Sequence, residues 1–386
     1  MFKNQIFKKP EYKKIIKKSF FILSLILFFC FSLGFSVFAQ STETENNKKT
    51  AIEKSENKIY EEITDALDEN QKETLEEYGL LPQDGFLNNF NFNNLKNMVL
   101  SFLKSSYKQP LTVVLSFLSA SLIMGAFNEF LKKNEYFYKF INLSAAATLL
   151  LPLFSVLKGA YTAICGVSKF MLSFVPTYFA TVIAGGNINT AGYISPIMLT
   201  VITAISALAS NGFLPAMAGY LGLTVAGSFT NLNLLKIAES IKNAAIYIMG
   251  GALTLFSAVL SLGGTVAAAG DNVALKTTKF FISGVPMIGG TLSESLNAVK
   301  ASAELLKSTV GVFGIVSVGI MLLPLVISLI LWKISLFVSS FFAETLGSEI
   351  LGNFLKTVSF VVSLVLGISV FVGMIFIIGL AILLKG

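Results

Sequence analysis

Thr309–Trp332 reads TVGVFGIVSVGIMLLPLVISLILW and holds no charged residue. A hydrocarbon core about 30 Å thick is crossed by roughly 20 apolar residues in a helix, so this run is long enough to span. Similar runs stand on either side of it: Leu111–Leu131, Phe140–Leu157, Phe170–Ala184, Ile194–Ser210, Phe213–Phe229, Ala244–Leu262 and Thr357–Leu384. Of the 386 residues 54% are hydrophobic and 13% charged, with a mean hydropathy of +0.73. Soluble domains carry about 25% charge. The expected fold is therefore all-α: a polytopic membrane protein with seven or eight transmembrane helices, a re-entrant or amphipathic segment, and a small extracytoplasmic helical region at the N-terminus.

The net charge of +7 belongs to one place. Lys3, Lys8, Lys9, Lys13, Lys14, Lys17 and Lys18 crowd the start, and from Gln40 onward 22 lysines face 21 acids. Nucleic-acid binding has little electrostatic support. The absence of histidine excludes His-ligated metals and Ser-His-Asp catalysis. No phosphate-binding G-x-x-x-x-G-K-[ST] loop is present, so any nucleotide-driven work falls to a partner. The chain is expected to be no enzyme and to carry no cofactor.

Residues 1–39 have the form of a secretory signal: a lysine-rich start, the apolar run Phe20–Phe38, and Val37-Phe38-Ala39 before a cut ahead of Gln40. An uncleaved first membrane helix is the alternative. Removal of Cys30 with the signal would leave Cys165 alone, without a disulfide partner in the chain. Residues 40–109 are polar, with an amphipathic stretch from Ile59 to Pro82 and an expected interfacial helix at Asn93–Tyr107. Residues 110–386 form the membrane domain. Lysines in short loops mark the cytoplasmic side, and three loops agree: Lys132 to Lys139, Lys236 to Lys242, and Lys333 to Lys356. The segment 263–308 conflicts with them unless Ile194–Phe229 is a single crossing.

One pattern occurs twice. Lys-Phe-x-x-Ser-x-Val-Pro runs from Lys169 to Pro176 and again from Lys279 to Pro286, followed by Gly185-Gly186 and Gly289-Gly290. Proline withholds a backbone donor and glycine permits unusual dihedrals, so matching breaks in two halves point to a channel or transporter centre. A chance recurrence of common residues, with the lysines snorkelling, is the plain reading. After the second copy, Thr291-Leu-Ser-Glu294 reads as a capping box that starts an amphipathic helix carrying Leu292, Leu296, Val299, Ala303 and Leu306 on one side. That helix is expected to lie on a surface rather than to cross. The segment before it, with Asp271, Lys276 and Lys279, is expected to be re-entrant.

The block AAAGDNVALKTTKFFISGVPMIGGTLSESLNAVKASAELLKSTVGVFGI resembles the stage III sporulation protein AE family, as do the signal-like start, EEYGLLP, and the spacing of the apolar runs. The resemblance implies a multi-pass protein of the mother-cell membrane around the forespore. There it would be the permease-like subunit of a secretion-like channel needed for late forespore gene expression. Implied partners are the other stage III A proteins, ring-forming and ATPase-like ones included, and the forespore protein Q, with homo-oligomerisation open. The competing expectation is a self-sufficient secondary transporter. Candidate structural or pore residues are Lys169, Pro176, Gly185, Gly186, Asp271, Lys276, Lys279, Pro286, Gly289 and Gly290.

Overall fold

In lipid every backbone polar group must find its partner within the chain, and the uncharged runs satisfy this as helices. A computed structural model describes residues 92–127, 133–184, 188–229, 289–346 and 348–385, with scattered positions in 61–76 and 234–259. All belong to one compact unit, Glu53–Gly386. Among the described residues there is no strand. Helix α1 is Phe92–Ser106, α2 Lys108–Ala126, α3 Glu135–Ala184 and α4 Ile188–Ala207. A π-helical turn, Leu208–Phe213, joins α4 to α5, Leu214–Phe229; α6 is Gly289–Thr345 and α7 Glu349–Lys385.

Among the described residues five helical stretches are long and apolar enough to cross a membrane: Lys108–Ala126, Tyr136–Ile183, Ala191–Gly227, Val310–Thr345 and Glu349–Ala381. The difference from the expected seven or eight has a definite origin. Phe140–Leu157 and Phe170–Ala184 are two parts of α3, and the π turn fuses Ile194–Ser210 with Phe213–Phe229. Ala244–Leu262 is only partly described. Pro152, Pro176, Pro196 and Pro324 all lie inside helices that continue past them. Each forfeits one backbone bond without ending its helix.

Three helices share one register. Ser348 Oγ donates to Asn142 Oδ1, joining α3 to the α6–α7 turn. At the other end Phe174 lies against Phe313, the rings tilted with centroids 6.5 Å apart, and Gly314 faces both Phe174 and Leu380. Between these ends α3 advances from 142 to 174, α7 from 348 to 380, and α6 returns from 345 to 313. Each covers 32 residues, or about 48 Å. Thus α3 and α7 run together and α6 runs against them. Intermediate contacts agree: Gly373 abuts Leu322 and Gly352 abuts Glu344. Helix α2 lies alongside the turn end of α6, with Ser335 Oγ donating to Pro110 O at 2.6 Å and Gly125 facing the Leu346 carbonyl.

Glycine recurs at these contacts because lipid offers helices no hydrophobic reason to associate. Close approach and dispersion supply the attraction instead. At the turn, Ser348 caps α7 by accepting from Leu351 N at 3.3 Å, and Asn142 Nδ2 donates to Tyr138 O at 2.7 Å. Glu344 and Lys356 pair across the same turn. Asn142 and Ser348 are both fully buried. Asn142→Leu should therefore strand the Ser348 hydroxyl and cost about 1–3 kcal/mol. Denaturant titration of the purified protein measures this, and an unchanged midpoint would contradict the pairing.

Candidate functional site

Measured from the level of Asn142 and Ser348, the shared register assigns every charge on the bundle a height. Lys158 of α3 stands 16 residues up, and Lys333 of α6 stands 12. Lys242 lies 5.2 Å from the centroid of Phe360, which is also 12 residues up α7. Lys108, two residues before the Pro110–Ser335 contact, joins the same belt. Further up, the next charges on α6 and α7 are at positions 307 and 385, 38 and 37 residues from the reference. Between belt and far edge lies a layer about 21 residues, or 32 Å, thick. That matches the hydrocarbon core of a bilayer.

On α3, α6 and α7 this layer contains one charged residue, Lys169. It stands 27 residues up, at mid-height, and is exposed on the outer side of α3. Phe170 and Phe174 beside it are fully buried and stacked, with centroids 5.2 Å apart; Phe174 and Tyr178 continue the ladder at 5.6 Å. The first Lys-Phe-x-x-Ser-x-Val-Pro copy is therefore one amphipathic length of helix. Its phenylalanines and Val175 face the bundle, while Lys169, Ser173 and Pro176 face outward. A lysine facing lipid at that depth costs about 2.5–3.5 kcal/mol on insertion scales.

Two expectations need correction. Lys169 does not mark the edge of a span, and Pro176 does not break one, because both are interior to the 50-residue α3. The aromatic ladder and the continuing backbone hold the helix through the proline. Likewise, the amphipathic stretch after Gly290 is not separate from the span that follows: α6 starts at Gly289 and runs for 57 residues to Thr345. No proline or glycine interrupts 291–310, so nothing there ends a helix. Thr291 is accordingly an internal residue, not the cap. Gly185, Gly186, Asp271, Lys276, Lys279 and Pro286 lie outside the described residues, as do the signal segment and the re-entrant segment.

Sequence reasoning missed three features. The Asn142–Ser348 bond joins residues 206 apart, beyond the reach of any local pattern. The π turn spells Leu-Ala-Ser-Asn-Gly-Phe, and from it Ser210 Oγ donates to Ser206 O at the end of α4 at 2.5 Å. Its Ser-Asn-Gly was a visible irregularity between two apolar runs, and π turns are frequent at functional positions. A small polar recess is lined by Tyr220, Thr224, Glu239, Lys242 and Thr357, in which Lys242 Nζ is 3.4 Å from Glu239 Oε1. Among the described residues no group of His, Cys, Asp or Glu could hold a metal ion.

Among the described residues, the lysines expected to mark three loops lie within helices rather than in loops. Lys139 lies just before Asn142, Lys242 packs over α7, and Lys356 closes the α6–α7 turn, all toward one end of the bundle. No solved structure matches this chain. Known sequences are more informative. The stage III sporulation protein AE of Bacillus subtilis (strain 168) is 25% identical over 291 residues, covering 71% of this chain and 73% of that protein. The family profile described as stage III sporulation protein AE matches residues 85–386, which include α1 to α7. The long helical bundle with Lys169 at mid-height is thus carried by a chain that belongs to the stage III sporulation protein AE family.

Proposed function

We propose that the chain is a non-enzymatic, permease-like subunit of a multi-protein channel or export platform in the mother-cell membrane around the forespore, serving late forespore gene expression. The observation that carries this reading is the length of the bundle. Its shared register of about 48 Å exceeds the bilayer core, and fitting it inside by tilt alone needs about 50°, beyond the usual 0–40°. If the charge-free layer occupies the lipid, the turn end projects from it while exposing Leu111, Leu115, Leu122, Ile123, Phe140 and Phe341. Apolar surface of that kind outside lipid calls for protein cover. Other stage III A proteins and the forespore protein Q are the proposed source of that cover.

A self-sufficient transporter fits less well. Its best support was a pair of broken helices, and at the first of the two positions α3 runs unbroken. The test is purification of the tagged chain from sporulating cells in mild detergent. Co-purification of other stage III A proteins in constant ratio is expected, together with no solute uptake by the chain alone in liposomes. Uptake by the chain alone, with no associated protein, would overturn the proposal.

A further inference from the structure

Lys169 is not isolated on its helix. Ser155, Lys158, Thr162 and Ser173 fall with it inside an arc of about 60° on α3, at 100° per residue. All five are exposed. Neither Lys158 nor Lys169 has an ion-pair partner among the described residues. The stripe rises from the lysine belt at the lower edge of the charge-free layer to its middle and slightly beyond. Directly behind it the helix is apolar and packed, with Ile164, Val167, Phe170, Met171 and Phe174 all fully buried.

Snorkelling explains Lys158 but not Lys169. A lysine stem reaches about 6 Å, enough to bring an ammonium near the layer's edge back to the interface. Lys169 lies about 15 Å from either edge, at 1.5 Å per residue. Its ammonium stays within the layer in every rotamer. The hydroxyls two turns below and one turn above, at Thr162 and Ser173, continue the polar surface on both sides of it. A polar stripe that contains the mid-height charge is the pattern of a wall facing water, in which ionisable groups mark solute paths.

We propose that this face of α3 borders water within the membrane and forms one wall of a path that passes anions in preference to cations. The opposite wall comes from neighbouring subunits, and in that respect the inference rests on the channel-subunit reading. Lys169 sets the charge preference at mid-depth, where the low-dielectric surroundings sharpen its field. Lys158 sets it at the mouth.

The experiment uses the full chain in membranes of sporulating cells, with Cys30 and Cys165 changed to serine. Single cysteines are placed at Thr162, Ser173 and, as a buried control, Val167. Each is treated with an anionic and a cationic methanethiosulfonate of similar size. Cysteines at 162 and 173 should react at least about tenfold faster than the one at 167, and the anionic reagent should be favoured over its ratio with a free thiol. Adding Lys169→Glu should lower the anionic-to-cationic ratio about tenfold, whereas Lys169→Arg should preserve it. If 162 and 173 react only after denaturation, the face lies in lipid or is sealed by protein, and the inference fails. A ratio unmoved by Lys169→Glu overturns the anion preference. Co-purification of the other stage III A proteins is read from the same membranes: its loss from the unmutated chain with labelling retained would refute the platform reading and spare the water-lined face.

Discussion

Replacing Gly314 by leucine is expected to disrupt the membrane bundle and abolish function. Gly314 lies where α3, α6 and α7 meet, and a Cβ built on it collides with the Phe174 ring and comes within 3.1 Å of Leu380. The Phe174 ring cannot retreat readily, because Phe170 and Tyr178 stack on it at 5.2 and 5.6 Å and Phe313 closes it from α6. Overpacking of this sort costs about 1–3 kcal/mol and occasionally more, and the leucine places it at a three-helix junction. Even Gly314→Ala should lower stability measurably. On the same helix Gly319 has open space where a Cβ would go, so Gly319→Ala should fall within about 0.5 kcal/mol of wild type. Thermal unfolding of the purified proteins in one detergent compares them. Equal behaviour of the two alanine variants would contradict the packing.

A second large effect is expected from Leu115→Asp combined with Ile123→Asp. Both side chains lie on the outer side of α2, 57% and 59% exposed, beside the turn end of the bundle. They contribute little to the fold of the isolated chain, whereas buried α2 residues such as Phe117 and Met124 do. If protein covers this surface, two carboxylates should remove much of that attachment, since truncation or charging of central contacts costs an interface about 2 kcal/mol or more each. Membrane levels of the chain should be unchanged while the other stage III A proteins no longer co-purify. Full retention of the complex would place the contact elsewhere.

The helices and the approximate position of the apolar runs were legible because a long uncharged run satisfies its backbone polar groups best as a helix. The α6–α7 turn was legible from the lysines on either side of it, although Lys333 and Lys356 themselves lie inside α6 and α7. How runs join was less visible. Lys158 and Lys169 divide α3 into two apparent spans when each charge is read as an edge, yet their placement on one side lets the helix continue. Pro176 suggested a break because proline withholds a donor, although the four-residue spacing of Phe170, Phe174 and Tyr178 on one side of the same helix was already visible in the sequence; only the contact of Phe174 with Phe313 lies beyond local reach. The role of Gly314 and the Asn142–Ser348 bond depend on partners far along the chain.

The central claim is that lipid surrounds the charge-free layer while the turn end of the bundle stands outside it. A nitroxide depth profile along α6 in reconstituted bilayers tests this most directly, with labels at Phe341, Ile334, Leu323 and Val316 and accessibility read as oxygen against a polar nickel complex. The ratio should be highest at Val316, close to the height of Lys169, and fall through Leu323 and Ile334 to its lowest value at Phe341. A maximum at Ile334 or Phe341 would put the belt of Lys108, Lys158, Lys242 and Lys333 inside the hydrocarbon and contradict the account.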